Sequence, residues 1–254
     1  MEVQVQNLGR KYWHSSFETL SMREFRRHVL GTRRIRGKTL EALDLPFITG
    51  GADLAVPDSL ETYRDAWFLH DIDAHINTYG QVWYPNEEEP RWEGSVVASR
   101  TWGNKNKFAL VADGGAITGV HEHALGMGTW ITVCKGSVLW CWLNPSEVTE
   151  EQKVSVYDTI DRHGRPLRRD LQWRAVVLQR GDTFVMFPGT MHAVVRTKTE
   201  RSLMFSGHFL LRSSLSTWID VVILQLQHKG ACNEGPGDRA RQVLTIVWEM
   251  SGRS

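Results

Sequence analysis

The spacing of hydrophobic residues divides the chain into three regions. Before residue 94, apolar side chains recur at the spacing of helices that bury one face. One helix is predicted to begin near Phe17 and to end before Gly31, and Ser15 or Ser16 would supply its N-terminal cap. A second helix is predicted between residues 58 and 80. We therefore expect the first region to be helical.

From Gly94 the pattern becomes that of β-strands. Short runs rich in Val, Ile, Thr, Trp and Phe follow one another, and Gly, Asn or Asp separates most of them. The only helical pattern among them lies around Glu147–His163, and helical spacing returns after Leu211. Many short strands with turn signals predict a sandwich or barrel. The predicted fold class is α+β, with an N-terminal helical region (1–93), a strand-rich core (94–212) and a C-terminal helical region (213–254).

Composition narrows the class of protein and its location. The 254 residues are 41% hydrophobic and carry a formal charge of +1, so a large core is possible and a globally basic nucleic-acid coat is excluded. No apolar run reaches the roughly 18 residues of a membrane span. The start has no apolar stretch of the signal-peptide kind, and the three cysteines form no CxxC pair. We expect an intracellular protein, nuclear or cytoplasmic, that does not bind membranes.

Charge is unevenly distributed near the N-terminus. Between Arg10 and Lys38 there are nine Lys or Arg against two Glu, whereas the segment from Pro57 to Glu93 is acidic. The basic segment has the charge of an arm that binds phosphate or an acidic partner. A solvated helix face, or pairing between the two segments, is the favoured interpretation. Direct nucleic-acid binding is therefore not predicted.

Three of the ten histidines form the pattern that carries chemistry. His121 and His123 lie two positions apart in a strand-like run, so their side chains project from the same face. His192 ends the block GDTFVMFPGTMH, in which a Gly-Asp turn, an apolar strand and a Pro-Gly bend precede it. An HxH alone is weak evidence, but with the second block it favours a metal site. Three neutral imidazoles suit several divalent transition metals and do not name one.

These two blocks resemble the JmjC domain. The resemblance covers about Trp102–Leu211, under half of the chain, and rests on HEHALGMGTWITVCKGSVLWCWL and GDTFVMFPGTMHAVVRTKTERSLMFSGHFL. It implies a double-stranded β-helix (jelly roll) of the cupin superfamily. It also implies an Fe(II)- and 2-oxoglutarate-dependent dioxygenase that hydroxylates proteins or demethylates lysine. The implied partner is a protein substrate such as a histone or another chromatin protein.

The resemblance assigns metal ligands and shows one departure. His121, His123 and His192 take the positions of the iron ligands, but His123 stands where the family has a carboxylate. Three imidazoles leave a divalent ion with its full double charge, whereas a carboxylate would reduce it. We expect Fe(II) or another divalent transition metal at these residues. The oxygenase triad itself is not kept.

A second departure concerns 2-oxoglutarate. Thr118 matches the hydroxyl that holds the distal carboxylate of this cosubstrate in the family, but Val138 stands where the family has a lysine. Burying a carboxylate against an apolar wall without a cation costs several kcal/mol. Lys107, Lys135 or Arg201 are the alternative cations. We expect weak 2-oxoglutarate binding.

Two other functions remain open. The segment Gly115–His123 reads GxxxxxHxH, which fits the first cupin motif and allows a three-histidine enzyme without a keto-acid cosubstrate. A catalytically silent JmjC-like binding module is the other alternative. His208 is expected either to line the pocket or to act as a fourth imidazole. The pair His70 and His75 is interpreted as a surface feature of a helix.

Overall fold

A computed structural model describes residues 2–7, 17–31, 39–46, 57–79, 107–159, 170–228 and 237–252. These residues form helices and antiparallel strands, so the mixed helix-and-sheet class predicted from the sequence is confirmed. The predicted boundary at residues 93 and 94 lies outside the described residues. The positions of the two predicted domain boundaries stay predictions.

The described strands form two antiparallel sheets. Their bounds are β1 Glu2–Asn7, β2 Phe17–Ser21, β3 Leu40–Pro46, β4 Lys107–Ala112, β5 Ile117–His121, β6 Gly128–Lys135, β7 Val138–Trp142, β8 Arg174–Leu178, β9 Thr183–Met186, β10 His192–Arg196 and β11 Ser202–Phe209. The seven-stranded sheet has the order β2-β1-β3-β4-β11-β6-β9, and the four-stranded sheet has the order β5-β10-β7-β8. Long-range pairing dominates both sheets, since neighbours such as β4 and β11 are far apart in sequence.

The helices flank these sheets. Their bounds are α1 Met22–Leu30, α2 Asp58–Glu61, α3 Phe68–Tyr79, α4 Glu150–Asp158, α5 Leu215–Gln227 and α6 Gly237–Gly252. Apolar side chains of α3, α5 and α6 form one buried cluster around Ile72, Trp218 and Ile246. Of the helices in the described ranges, none is both long and apolar enough to cross a membrane.

The first region differs from the helical prediction. Residues Phe17–Ser21 form a strand, and the helix begins only at Met22. Ser21, not Ser15 or Ser16, caps it, because the Ser21 hydroxyl accepts a hydrogen bond from the Glu24 N–H in a capping box. The apolar residues Val3 and Val5 of β1, and Leu40 and Ala42 of β3, are buried at a spacing of two, which is the spacing of side chains on one face of a strand. The prediction of a wholly helical region 1–93 is therefore wrong for these segments.

The second predicted helix is divided. Its first part is the short helix α2, a 3₁₀ turn follows at Arg64–Ala66, and α3 carries the remainder to Tyr79. Trp67 separates the turn from α3 and forms a single parallel bridge with Leu210. The helical pattern predicted around Glu147–His163 corresponds to α4 within the described residues.

The two sheets share one apolar core. The core cluster takes side chains from β4, β6, β9 and β11 of the larger sheet and from β7, β8 and β10 of the smaller one. Burying these side chains stabilises the fold by about 25 cal/mol for each Å² of apolar surface removed from water. The cluster positions the inner faces of both sheets opposite each other.

The turn between β6 and β7 depends on Gly136. Its φ of +82° lies in the left-handed region, and a Cβ there would approach the carbonyl oxygen of Arg201 to 2.7 Å. Only glycine avoids both the backbone strain and the contact. This turn takes the chain from the larger sheet into the smaller one, where β7 pairs with β10 and forms one wall of the candidate site.

Candidate metal centre

A cavity of about 70 Å³ lies between the two sheets. A water molecule needs roughly 10–15 Å³ of such space, so the cavity holds a few waters or a small ligand. The larger sheet contributes Phe108, Leu110, Ile131, Met204 and His208 to its lining, and the smaller sheet contributes Thr118, His121, Trp140, His192, Val194 and Arg196. Glu122, His123 and Ala124 line the end that follows β5. Polar groups and apolar walls thus face the same small space.

The structure brings the three predicted histidines together. His121 ends β5 and His192 begins β10, and the two residues are direct partners in the antiparallel register. Their ring centroids are 4.2 Å apart, while His123 lies 4.8 Å from His192 and 5.8 Å from His121. His208 is a pocket residue: its centroid is 5.4 Å from that of His123, and its Nδ1 lies 2.9 Å from the Thr129 hydroxyl.

Two of these imidazoles are held by the backbone. His121 Nδ1 lies 2.8 Å from the carbonyl oxygen of Gly119, and His192 Nδ1 lies 3.0 Å from that of Thr190. A carbonyl oxygen only accepts hydrogen bonds, so each Nδ1 carries the proton and each Nε2 keeps its lone pair. Metal-binding histidines ordinarily donate the N–H of their other ring nitrogen to a carbonyl oxygen, a carboxylate or water in this way.

His123 differs from the other two. Its Nε2 is buried and has no hydrogen-bond partner in the described part of the chain. A buried polar nitrogen without a partner costs about 1–3 kcal/mol, and such a group calls for a ligand, ion or water.

The three imidazole rings lie close together, but their nitrogens do not point at a common metal position. Across the described ranges, no group of three or more His, Cys, Asp or Glu side chains already has the arrangement of a metal site. The rings of His123 and His192 are stacked, with 28° between their planes, which keeps their in-plane lone pairs from converging on one point. Metal binding would therefore require the His123 ring to turn.

Burial keeps the histidines neutral. It lowers the pKa of His121 from 6.5 to about 4, although the bond to the Gly119 carbonyl opposes the shift. Burial also holds the pKa values of His123 and His192 well below 6.5, and the neighbouring imidazoles add to the effect. Neutral imidazole is the form that binds metals.

The wall beside His192 is aromatic and apolar. Trp140 is 1% exposed and stacks on the His192 ring, with centroids 5.2 Å apart and 11° between the planes. Val138, two residues earlier on the same face of β7, is completely buried in the core cluster. Replacing Val138 with the lysine of the family would bury another cation directly opposite Arg196 in the register.

Arg196 is the pocket residue that sequence reasoning missed. It is 3% exposed and lines the cavity. The expected substitutes lie elsewhere: Lys135 is exposed, Lys107 does not line the cavity, and Arg201 bonds Asp113 and two backbone carbonyls. The signal was present in HAVVR, because alternation places the first and last residues of that strand on one face.

Thr118 is engaged by side chains of the chain itself. Its hydroxyl donates a hydrogen bond of 2.7 Å to Glu41 Oε1 and accepts one from the guanidinium of Arg196. Arg196 also forms an ion pair with Glu41, which is completely buried. Burial lowers the pKa of Arg196, and the carboxylate of Glu41 opposes that shift. The hydroxyl predicted to hold a cosubstrate thus belongs to a buried Glu41–Arg196–Thr118 cluster.

Helix α5 holds the segment that carries His123. Gln225 is completely buried, and its Nε2 donates to Glu122 Oε2 at 3.1 Å and to the carbonyl oxygen of His123 at 2.9 Å. Its Oε1 accepts a hydrogen bond of 3.2 Å from the Gly126 N–H. One C-terminal side chain therefore fixes three groups of the loop that follows β5.

The pair His70 and His75 lies on α3, and neither residue lines the cavity. His70 is exposed, and its ring contacts Trp67 at 5.5 Å. His75 is paired with Glu249 of α6 at 3.4 Å. His70 fits the interpretation as a surface feature, whereas His75, with 11% of its side chain exposed, belongs to the contact between α3 and α6.

No protein-family model and no curated protein matches the chain. Similar solved structures include Peruvianin-I, a cysteine peptidase from Thevetia peruviana latex, at 16% identity with a TM-score of 0.28 over 40% of this chain and 48% of that one. They also include the Drosophila melanogaster CENP-C cupin domain, at 10% identity with a TM-score of 0.29 over 41% and 59%.

A third similar structure is a single-residue variant of oxalate decarboxylase from Bacillus subtilis, at 12% identity with a TM-score of 0.28 over 41% of this chain and 21% of that one. The chain thus spans less than two thirds of the length of each of these structures. At such identities and TM-scores, the likenesses establish neither a shared fold nor a shared function. The class of this protein rests on its own residues.

Proposed function

We propose that this chain is a JmjC-like jelly-roll protein of the cupin superfamily whose cavity binds one divalent transition metal through His121, His123 and His192. The observation that carries the proposal is the state of the imidazole nitrogens. His121 and His192 have Nδ1 bonded to carbonyl oxygens, which leaves Nε2 available, and His123 Nε2 is buried without a partner in the described residues. Two paired strands and the loop after β5 supply these groups.

The chemistry of the donor set is suited to such an ion. Imidazole nitrogens bind Fe, Mn, Zn, Ni and Cu, and a bound ion of this kind supplies Lewis acidity and a position for oxygen or a small chelating substrate. The chain's own residues do the rest: the backbone carbonyls orient two rings, and Trp140 excludes water from one side of His192.

A three-histidine enzyme without a keto-acid cosubstrate is the favoured form of this function. His123 replaces the carboxylate ligand of the family. Among the described residues that line the cavity, Arg196 is the one Arg or Lys, and it is already paired with Glu41. A dicarboxylate such as 2-oxoglutarate would therefore lack a free counter-charge. Dioxygenation with 2-oxoglutarate and a protein substrate such as a histone stay predictions of the resemblance. A nuclear or cytoplasmic location stays a prediction from the sequence composition.

Metal analysis tests the proposal directly. The protein is loaded anaerobically with Fe(II), Mn(II), Co(II) or Zn(II), desalted and assayed by elemental analysis. We expect about one ion per chain for the wild type and a large loss in His192→Ala, because three imidazoles are the minimum set here. Cobalt absorption in the visible range would report nitrogen ligation independently of any activity.

His70→Ala is the matched control, since His70 is an exposed histidine remote from the cavity lining. It should retain the wild-type metal content. Negligible metal in the wild type, or equal metal in the wild type and His192→Ala, would refute the metal site. Succinate production from 2-oxoglutarate by the metal-loaded wild type would agree with the metal site. It would refute the proposal that the enzyme uses no keto-acid cosubstrate.

A further inference from the structure

A carboxylate of the chain itself is bound to two polar residues that line the cavity, Thr118 and Arg196. It belongs to Glu41 on β3 of the larger sheet, whereas Thr118 and Arg196 lie on β5 and β10 of the smaller sheet. The Glu41 carboxylate accepts a hydrogen bond from the Thr118 hydroxyl and forms an ion pair with the Arg196 guanidinium.

We infer that Glu41 occupies a built carboxylate-binding subsite of the cavity and thereby excludes ligands that carry a second carboxylate. Thr118 and Arg196 are the subsite, and both line the cavity. A hydroxyl beside a guanidinium is a donor pair suited to a carboxylate. The inference concerns a part of the cavity that needs no metal, so it can be tested independently of metal binding by the histidines.

The Glu41–Arg196 ion pair is buried. Glu41 is completely buried and Arg196 is 3% exposed, so the pair is shielded from water and from salt. A second carboxylate entering the cavity would meet a neutral pair instead of a free cation.

Two atoms of the cluster retain unused hydrogen-bonding capacity. Arg196 Nε and Glu41 Oε2 are buried and have no hydrogen-bond partner in the described part of the chain. A purely structural ion pair is stable when its remaining donors and acceptors are satisfied. The incomplete pairing is what we expect where one side chain stands in for a bidentate ligand.

Chemical rescue tests the inference. Glu41→Ala removes a methylene and a carboxylate beyond Cβ, and acetate has that shape. In metal-free, EDTA-treated protein, we expect Glu41→Ala to be destabilised and its melting temperature to rise with acetate concentration along a saturable curve, since a ligand that binds only the folded state stabilises it. The wild type should show no rise beyond that produced by sodium chloride at equal ionic strength.

The double variant Glu41→Ala, Arg196→Met is the control for the cation. Hydrogen bonds to a charged group contribute about 1.5–3 kcal/mol, so acetate should bind the double variant at least about tenfold more weakly. Equal acetate effects in the two variants, or none in Glu41→Ala, would overturn the inference. If Glu41→Ala is isolated unfolded, refolding in acetate should restore the native circular dichroism spectrum, and failure there overturns it as well.

A second measurement uses the dicarboxylate itself. Calorimetry with 2-oxoglutarate on the metal-free protein should show at least about tenfold tighter binding to Glu41→Ala than to the wild type, because the freed Arg196 then pairs with the ligand. Tight binding to the wild type that Glu41→Ala leaves unchanged would contradict the exclusion of a second carboxylate.

Discussion

Replacing Gln225 with alanine should loosen the loop after β5, which carries the candidate metal ligand His123. Gln225 lies on α5, more than 100 residues after His123, yet its amide group makes three hydrogen bonds to the loop that carries this histidine. The side chain is completely buried, so no water replaces those bonds in the native state. Glu122 would lose a donor to its buried carboxylate, and the carbonyl of His123 and the N–H of Gly126 would lose partners.

The expected cost follows from these three bonds. A neutral hydrogen bond contributes about 0.5–1.5 kcal/mol and one to a charged group about 1.5–3 kcal/mol, so Gln225→Ala should cost at least about 2.5 kcal/mol. For a protein of this size, that loss corresponds to a fall in melting temperature of roughly 5–10 °C. Urea denaturation followed by circular dichroism measures the free energy of unfolding directly.

Gln227→Ala is the matched control, because Gln227 is the same residue type at an exposed position of the same helix. Its free energy of unfolding should change by less than about 0.5 kcal/mol. A change for Gln225→Ala that is as small as the control would refute the argument from hydrogen bonding. A destabilised Gln225→Ala with unchanged cobalt affinity would show that the bonds stabilise the fold without positioning His123.

Two further predictions concern the metal-free protein. The pKa of His121 lies near 4 in the folded state, against 6.5 in the unfolded state. The free energy of unfolding should therefore fall as the pH drops from 6.5 towards 4. Urea titrations should show a smaller fall for His121→Gln, and a fall equal to that of the wild type would contradict the prediction. Gly136→Ala and Gly181→Ala both place alanine at a positive φ, which costs about 1–2 kcal/mol. The added Cβ would lie 2.7 Å from the carbonyl oxygen of Arg201 at position 136, whereas no heavy atom lies within 4 Å of it at position 181. Urea midpoints should therefore fall further for Gly136→Ala, and equal midpoints would exclude a role for that contact.

Local patterns in the sequence predicted part of this arrangement. Strand-like alternation after Gly94 corresponds to strands that share one core, and the same alternation puts Val138 and Trp140 on one buried face. The spacing of His121 and His123 predicted their proximity, and the Pro-Gly bend placed His192 at the start of a strand. These features are local, so period and turn chemistry are enough to predict them.

Pairing between distant strands was not predictable in the same way. The segment from Phe17 has a helical spacing, but its first five residues pair with β1, because strand pairing overrides a weak local preference. Glu41 lies in the short strand LEALDLP, and nothing in that strand indicates that its carboxylate faces Arg196, which lies far along the chain on β10. Long-range contacts of this kind decide the charge of the cavity.

The cavity is consequently not a property of the strand-rich core alone. Residues 94–212 contain the histidines and Arg196, but Glu41 precedes this range and Gln225 follows it. Without Glu41, Arg196 would be a buried cation without its ion-pair partner, which typically costs about 3–5 kcal/mol. Without Gln225, the loop after β5 would lose three hydrogen bonds. The flanking regions therefore determine both the charge and the geometry of a candidate site whose proposed metal ligands all lie between them.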